Sequence, residues 1–239
     1  MTGPSRPPPD DTMERSLLAE GFGLVAGVDE VGRGAWAGPA SVGVVVFRCD
    51  APAPDGLRDS KEVAEEDRET LYPLVIGWGM DWAVGHVGPD ECDHLGMTAA
   101  LRLAARRALG ALRVRPDVVL LDGPFDYISD PAGPAQPGAA KEPLRPPARR
   151  GRRRGGPTPP PVRTVVDGDA LCVSVAAASI VAKVTRDRLM REMAESFPAF
   201  DFDRNKGYPS PTHKTALAGH GLSSVHRRSW AFVEGMAFR

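Results

Sequence analysis

The chain reads as an α/β protein built around a mixed sheet. Three features say so: short apolar runs of strand length, longer stretches with helical spacing, and strands that come first and then alternate with helices. With 239 residues, 42% of them apolar, there is material for a sizeable core.

Taken in order, residues 1–20 read as a flexible N-terminal tail, because Pro4, Pro7, Pro8 and Pro9 precede only a short helical start at 13–19. Strands follow at 24–29, 41–47, 82–87 and 118–122. The stretch 98–112 sets Leu101, Ala104, Ala105 and Leu109 on one helical face. A short strand at 164–166 and a helix over about 173–195 come next. Residues 21–239 are therefore expected to form one domain. Between 126 and 163 the pattern dissolves: ten of the 24 prolines fall between Pro131 and Pro161, and apolar periodicity vanishes. Such a composition cannot offset its ordering entropy, so about 128–162 reads as a disordered Pro/Arg-rich insertion.

The net charge of −1 hides an uneven distribution. Between Lys141 and Arg163 stand eight basic residues and one acid, Glu142, so that stretch carries about +7 and the remainder about −8. Within it, Arg149, Arg150, Arg152, Arg153 and Arg154 would either hold nucleic acid loosely by charge or form a solvated linker. Cys49, Cys92 and Cys172 are far apart and form no C-x-x-C pair, which argues against a disulfide framework and a zinc site. The N-terminus lacks the apolar core of a signal peptide, and no uncharged run is long enough to span a bilayer. The expectation is a soluble cytoplasmic protein with no membrane partner.

The densest chemistry lies at 27–39, GVDEVGRGAWAGP. A strand ends at two adjacent carboxylates, Asp29 and Glu30, and a Gly32-Arg33-Gly34 turn follows at once. Acids at a strand end, then exposed amides and an arginine, can hold a divalent ion beside a phosphate. Asp122 repeats the acid-after-strand arrangement ahead of Gly123, and Asp169 lies between a short strand and a helix. Alone, Asp122 is also a turn residue and Asp169 a helix cap. Four acids converging from strand ends would suit two magnesium ions, which take hard oxygen ligands.

These pieces resemble the type 2 ribonucleases H, the ribonuclease HII family. The resemblance rests on 27–39, Asp59-Ser60-Lys61, LLDG at 120–123, GDALCVSVAAASIVAKVTRDRL at 168–189, NKGYP at 205–209 and HRRSW at 226–230, in the family's order. It implies a ribonuclease H-like fold, with a mixed central sheet flanked by helices and a C-terminal helical extension. It also implies a metal-dependent endoribonuclease that cuts on the 5′ side of ribonucleotides, in RNA–DNA hybrids and at single ribonucleotides embedded in duplex DNA. That cut leaves 3′-hydroxyl and 5′-phosphate ends and serves ribonucleotide removal from DNA.

The family's four metal-binding acids would fall on Asp29, Glu30, Asp122 and Asp169, with Mn2+ or Mg2+ in a two-metal site. Gly32, Arg33 and Gly34 would contact the 2′-hydroxyl, Tyr208 would pack on the next sugar and check that it is DNA, and Ser60 and Lys61 would touch a phosphate. A 2′-hydroxyl donates and accepts, so a close backbone turn can tell ribose from deoxyribose. Alone, Tyr208 is a loop aromatic and Lys61 a solvated charge before an acidic helix. Lys183 and Arg186 would face DNA or pair with local acids, whereas Ala176, Ala177 and Ala178 fit a helix packed tightly on the sheet. His213, His220 and His226 are not needed as bases, since an ion can acidify water. The motif 226–228 would instead support the C-terminal fold or the DNA backbone.

Two departures stand out. Asp167 replaces the family's usual Lys before Gly168-Asp169, which leaves Asp167 as a rival to Asp169. The insertion also lengthens the path from Asp122 to Asp169, at small entropic cost, since each doubling of a loop adds only about 0.6 kcal/mol. A monomer is the default expectation, and a sliding-clamp partner is compatible with the sequence without being indicated by it. The competing class is a catalytically weak hybrid-binding protein. Clustered acids argue against it, because they repel phosphate.

Overall fold

The computed structural model describes residues 7–129 and 159–234. The chain runs α1 (Thr12–Ala19), β1 (Val25–Val31), β2 (Ala40–Val46), α2 (Glu65–Trp78), β3 (Asp81–Val87), α3 (Pro89–Leu95), α4 (Met97–Ala111), β4 (Val118–Asp122) and β5 (Val162–Val165). It continues with α5 (Gly168–Leu171), α6 (Val173–Ser196), a 3-10 turn at Pro198–Phe200, α7 (Phe202–Asn205), α8 (Pro211–His220) and α9 (Ala231–Glu234).

The strands form one mixed sheet in the order β3-β2-β1-β4-β5. β1 pairs antiparallel with β2, and β2 with β3, whereas β1, β4 and β5 run parallel. Side chains alternate across a strand, so each strand feeds two cores. Val25, Val45, Val118 and Leu120 face α6, α1 and α2, while Val28, Val42, Val44 and Leu121 face α4. All seven residues of β2 are buried, which fits a central strand covered on both sides.

The long helix α6 lies close on the sheet because small residues meet there. A Cβ on Gly27 would stand 2.1 Å from the Ser174 carbonyl carbon, and one on Gly43 would stand 2.5 Å from the Ala178 carbonyl oxygen. Ala176, Ala177 and Ala178 are fully buried at this seam, as expected for a tightly packed helix. A third, smaller core gathers Ala37, Met190, Phe200, Phe202, Ala216 and Leu217 under the C-terminal helices.

Two boundary expectations need correction. From Asp10 onward the N-terminus is not a free tail: Leu17 is buried, and α1 tops the start of α6. The Asp10 carbonyl accepts the Val173 amide at 3.1 Å, and the Glu14 carboxylate accepts the Ser174 amide at 2.8 Å. These are the orphan amides that a helix start must satisfy, here supplied by distant chain that local sequence could not reveal. The expected insertion is also narrower at its ends, since Ile128 is buried and Val162 opens β5. The rest of that segment, 130–158 with its arginine cluster, lies outside the described residues. Among the described residues no helix is long and apolar enough to cross a membrane.

Candidate active site

The strand register assembles the acids. Val28 pairs with Leu121 and both face α4, so Asp29 and Asp122, one residue later, turn to the opposite face, toward α5 and α6. The parallel pairing of Asp122 with Val165 brings the turn before α5 alongside. There the Gly168 amide donates to the Asp122 carboxylate at 2.8 Å. Asp169 follows, 6% exposed, and accepts the Lys61 ammonium at 3.0 Å. Asp167 is exposed and in the left-handed region at φ 56°, whereas Asp169 is buried against Lys61.

Glu30 faces the α4 side, where Arg33 stands 3.5 Å away and the buried Tyr127 hydroxyl donates to it at 3.4 Å. A cleft of about 600 Å³ is lined by Asp29, Glu30 and Asp122, by Gly32, Arg33 and Gly34, by Ser60 and Lys61, and by Tyr208. Nine of the ten residues expected in the site thus share one wall, and Lys61 links the tenth, Asp169, to it.

The electrostatics of the cleft are strained. Burial, then the Asp122 and Glu30 charges, pushes the Asp29 carboxyl well above the usual carboxylate range. Burial also raises Glu30, and burial with the Asp169 charge raises Asp122. Against its own burial, Lys61 holds its proton more tightly than in water, because Asp169, Asp29 and Asp59 surround it. The raised proton affinities of Asp29, Glu30 and Asp122 mark a crowd of hard oxygen donors that fits a divalent cation. Among the described residues, however, no three acidic, histidine or cysteine side chains are drawn close enough to cage an ion unaided. Lys61 supplies the positive charge in this arrangement.

The Gly32-Arg33-Gly34 turn is held from behind. Gly32 adopts φ 82°, and a Cβ there would stand 2.1 Å from Arg186 Nε. Its amide donates to the Tyr208 hydroxyl at 3.1 Å, which joins the two expected sensors. Arg186 is fully buried rather than facing outward, and among the described residues it pairs with no acid through its nitrogens: it donates to the carbonyls of Pro39, Lys206 and Ala37. Lys183 does line the cleft, paired with the buried Asp187. Ser60 is buried, its amide bonded to Ser179 Oγ at 3.1 Å.

Three further lining residues were not singled out as site residues: Arg204, which had no signal, and Asn205 and Lys206, which lie in the 205–209 motif and come in with the turn before Tyr208. Tyr127 was hidden too, because it precedes the proline-rich segment where periodicity fails. The histidines sit away from the acids. His213 Nδ1 donates to the Tyr208 carbonyl at 2.9 Å, and its Nε2 meets His226 Nε2 at 2.9 Å.

A mixed sheet in this order, with acids at the ends of adjacent parallel strands and a long helix across one face, defines a ribonuclease H-like nuclease. The ribonuclease HII family model matches residues 26–233. Ribonuclease HII of Streptomyces avermitilis is 46% identical over 230 residues, 96% of this chain and 86% of that protein. That of Paracoccus denitrificans is 40% identical over 225 residues, 94% of this chain and 93% of that protein. The crystal structure of ribonuclease H2 from Pyrococcus horikoshii is similar with a TM-score of 0.66 and 28% identity, covering 89% of this chain and 96% of that one. A Bst-RNase HIII structure in complex with Mn2+ shares the fold at a TM-score of 0.60 and 18% identity, over 88% of this chain and 68% of that one. This chain belongs to the ribonuclease HII family, and it is an endonuclease, a hydrolase of phosphodiester bonds.

Proposed function

We propose that this enzyme cuts on the 5′ side of ribonucleotides in RNA–DNA hybrids and at single ribonucleotides embedded in duplex DNA. The products are a 3′-hydroxyl and a 5′-phosphate, and the role is ribonucleotide removal from DNA. One observation carries the reading: the acid cluster and the Gly32–Tyr208 contact line the same cleft. Acids alone would suit any nuclease of this fold, whereas a backbone turn tied to an aromatic ring suits a ribo–deoxy junction.

Asp29, Glu30, Asp122 and Asp169 are the residues that would hold Mg2+ or Mn2+. An ion held there would supply Lewis-acid charge at the phosphate and an acidified water. Lys61, at the rim of the cleft beside Asp169, would meet a phosphate oxygen, with Ser60 fixing its loop. The Tyr208 ring would lie on the neighbouring deoxyribose, where an added hydroxyl would crowd it. Phosphate contacts of this kind position a strand without reading its sequence. One chain supplies every residue of the cleft, so a monomer suffices.

The test is strand-resolved cleavage of a duplex with one ribonucleotide, in Mg2+, Mn2+ and chelator, beside an all-DNA duplex and Asp122→Asn. We expect one metal-dependent nick 5′ of the ribonucleotide, none on plain DNA, and a drop of at least about a hundredfold in the variant. Tight binding without a nick would instead establish a hybrid-binding protein.

A further inference from the structure

We propose that Arg227 is the positioning residue for ribose discrimination: it orients the two amides through which the 32–34 turn reads a 2′-oxygen. The inference rests on the function proposed above and adds a residue from the far end of the chain.

Arg227 is fully buried behind the turn. Its guanidinium donates to the Gly32 carbonyl at 2.6 Å, the Arg33 carbonyl at 2.9 Å and the Gly38 carbonyl at 3.1 Å, and it lies over the Trp230 ring at 4.9 Å. Among the described residues no carboxylate forms an ion pair with it. A buried cation without a counter-ion is costly, and an apolar side chain would fill the space at lower cost. Stability alone therefore gives a poor account of Arg227. Its geometry gives a better one, because a planar fork with five donors fixes several carbonyls at once, which a lysine cannot do.

The consequence follows from peptide geometry. All peptide bonds of the described chain are trans, so each C=O points opposite to the next residue's N–H. Drawing the Gly32 and Arg33 carbonyls inward turns the Arg33 and Gly34 amides outward. Both residues are exposed and line the cleft, and among the described residues neither amide has a hydrogen-bond acceptor. Two successive outward amides make a concavity for an oxygen with lone pairs. The Gly32 amide is excluded from this pair because it is spent on the Tyr208 hydroxyl. Arg227 and Tyr208 therefore hold opposite sides of one glycine.

The test compares the affinity of wild type and Arg227→Lys for a duplex with one ribonucleotide and for the same duplex in DNA alone, in chelator so that neither is cut. We expect the ribonucleotide preference to fall about tenfold in the variant while all-DNA affinity stays within about twofold, as for loss of oriented hydrogen bonds. Equal weakening toward both duplexes, or an unchanged preference, would overturn the inference. Should Arg227→Lys not fold, amide exchange in the wild type decides. The Arg33 and Gly34 amides should exchange fast in the free enzyme and slow with the ribonucleotide duplex only. Protection already present in the free enzyme would also overturn it. Absence of any ribonucleotide preference in the wild type would instead refute the proposed function itself.

Discussion

The His213–His226 pair shows how much a single atom type can decide. A carbonyl only accepts, so His213 Nδ1, against the Tyr208 carbonyl, carries a proton. In the neutral ring its Nε2 then accepts from His226 Nε2, and His226 Nδ1 accepts from the Ser223 amide at 3.0 Å. Both ends of the chain of bonds thus force neutral rings. Burial first, then the repulsion that a second cation would meet from His213 and from Arg228, lowers His226 to about 4 from an ordinary 6.5. The folded state therefore binds fewer protons than the unfolded state between those values, so stability present above pH 6.5 is lost as pH falls toward 4. We expect the free energy of urea unfolding to drop from pH 7 to pH 5 by on the order of 2 kcal/mol, with a flatter profile in His226→Gln. A profile no flatter in the variant would place the acid sensitivity elsewhere.

Helix α6 shows what an element owes to its distant neighbours. Its own N-cap, Cys172, makes no side-chain cap bond, and the Asp10 carbonyl and Glu14 carboxylate take its first amides. Asp169 lies four residues before α6, so the N-terminal helix steadies an acid of the site through this cap. Removal of residues 1–20 should cost about 3–5 kcal/mol, since it unburies Leu17 and uncaps α6. Chemical denaturation reads this directly, and a loss under about 1 kcal/mol would mean that α1 is a passive appendage. The core strands and both long helices were legible because each buries a repeating apolar face. The N-terminal packing was not, because its proline-rich start reads as a tail and its contacts lie some 160 residues away.

Over the whole molecule, an acidic body carries its mutual repulsion into one cleft. Folding draws Asp29, Glu30, Asp122 and Asp169 together against that repulsion, with Lys61 as the nearest compensation. A cation that binds the folded site and not the unfolded chain must then stabilise the fold. At about ten times its dissociation constant, Mg2+ should stabilise by about 1.4 kcal/mol and raise the melting temperature by roughly 3–6 °C, and by less in Asp122→Asn. Equal shifts in both proteins would trace the effect to general screening rather than to the acids.

The bounds of α2, α3 and α8 were not read, but the five strands, the helices α4 and α6, the acids at strand ends and the glycine turn were legible in the residues, because alternation, helical spacing and turn chemistry are local properties. Their union was not. Asp169 was placed by resemblance alone, its nearness to Asp122 needed the parallel register of β4 with β5, and joining Gly32 to Tyr208 needed a contact across 176 residues. The buried roles of Arg186 and Arg227 were invisible for the same reason. Which carbonyls a guanidinium meets depends on how remote segments pack, and no local pattern encodes that.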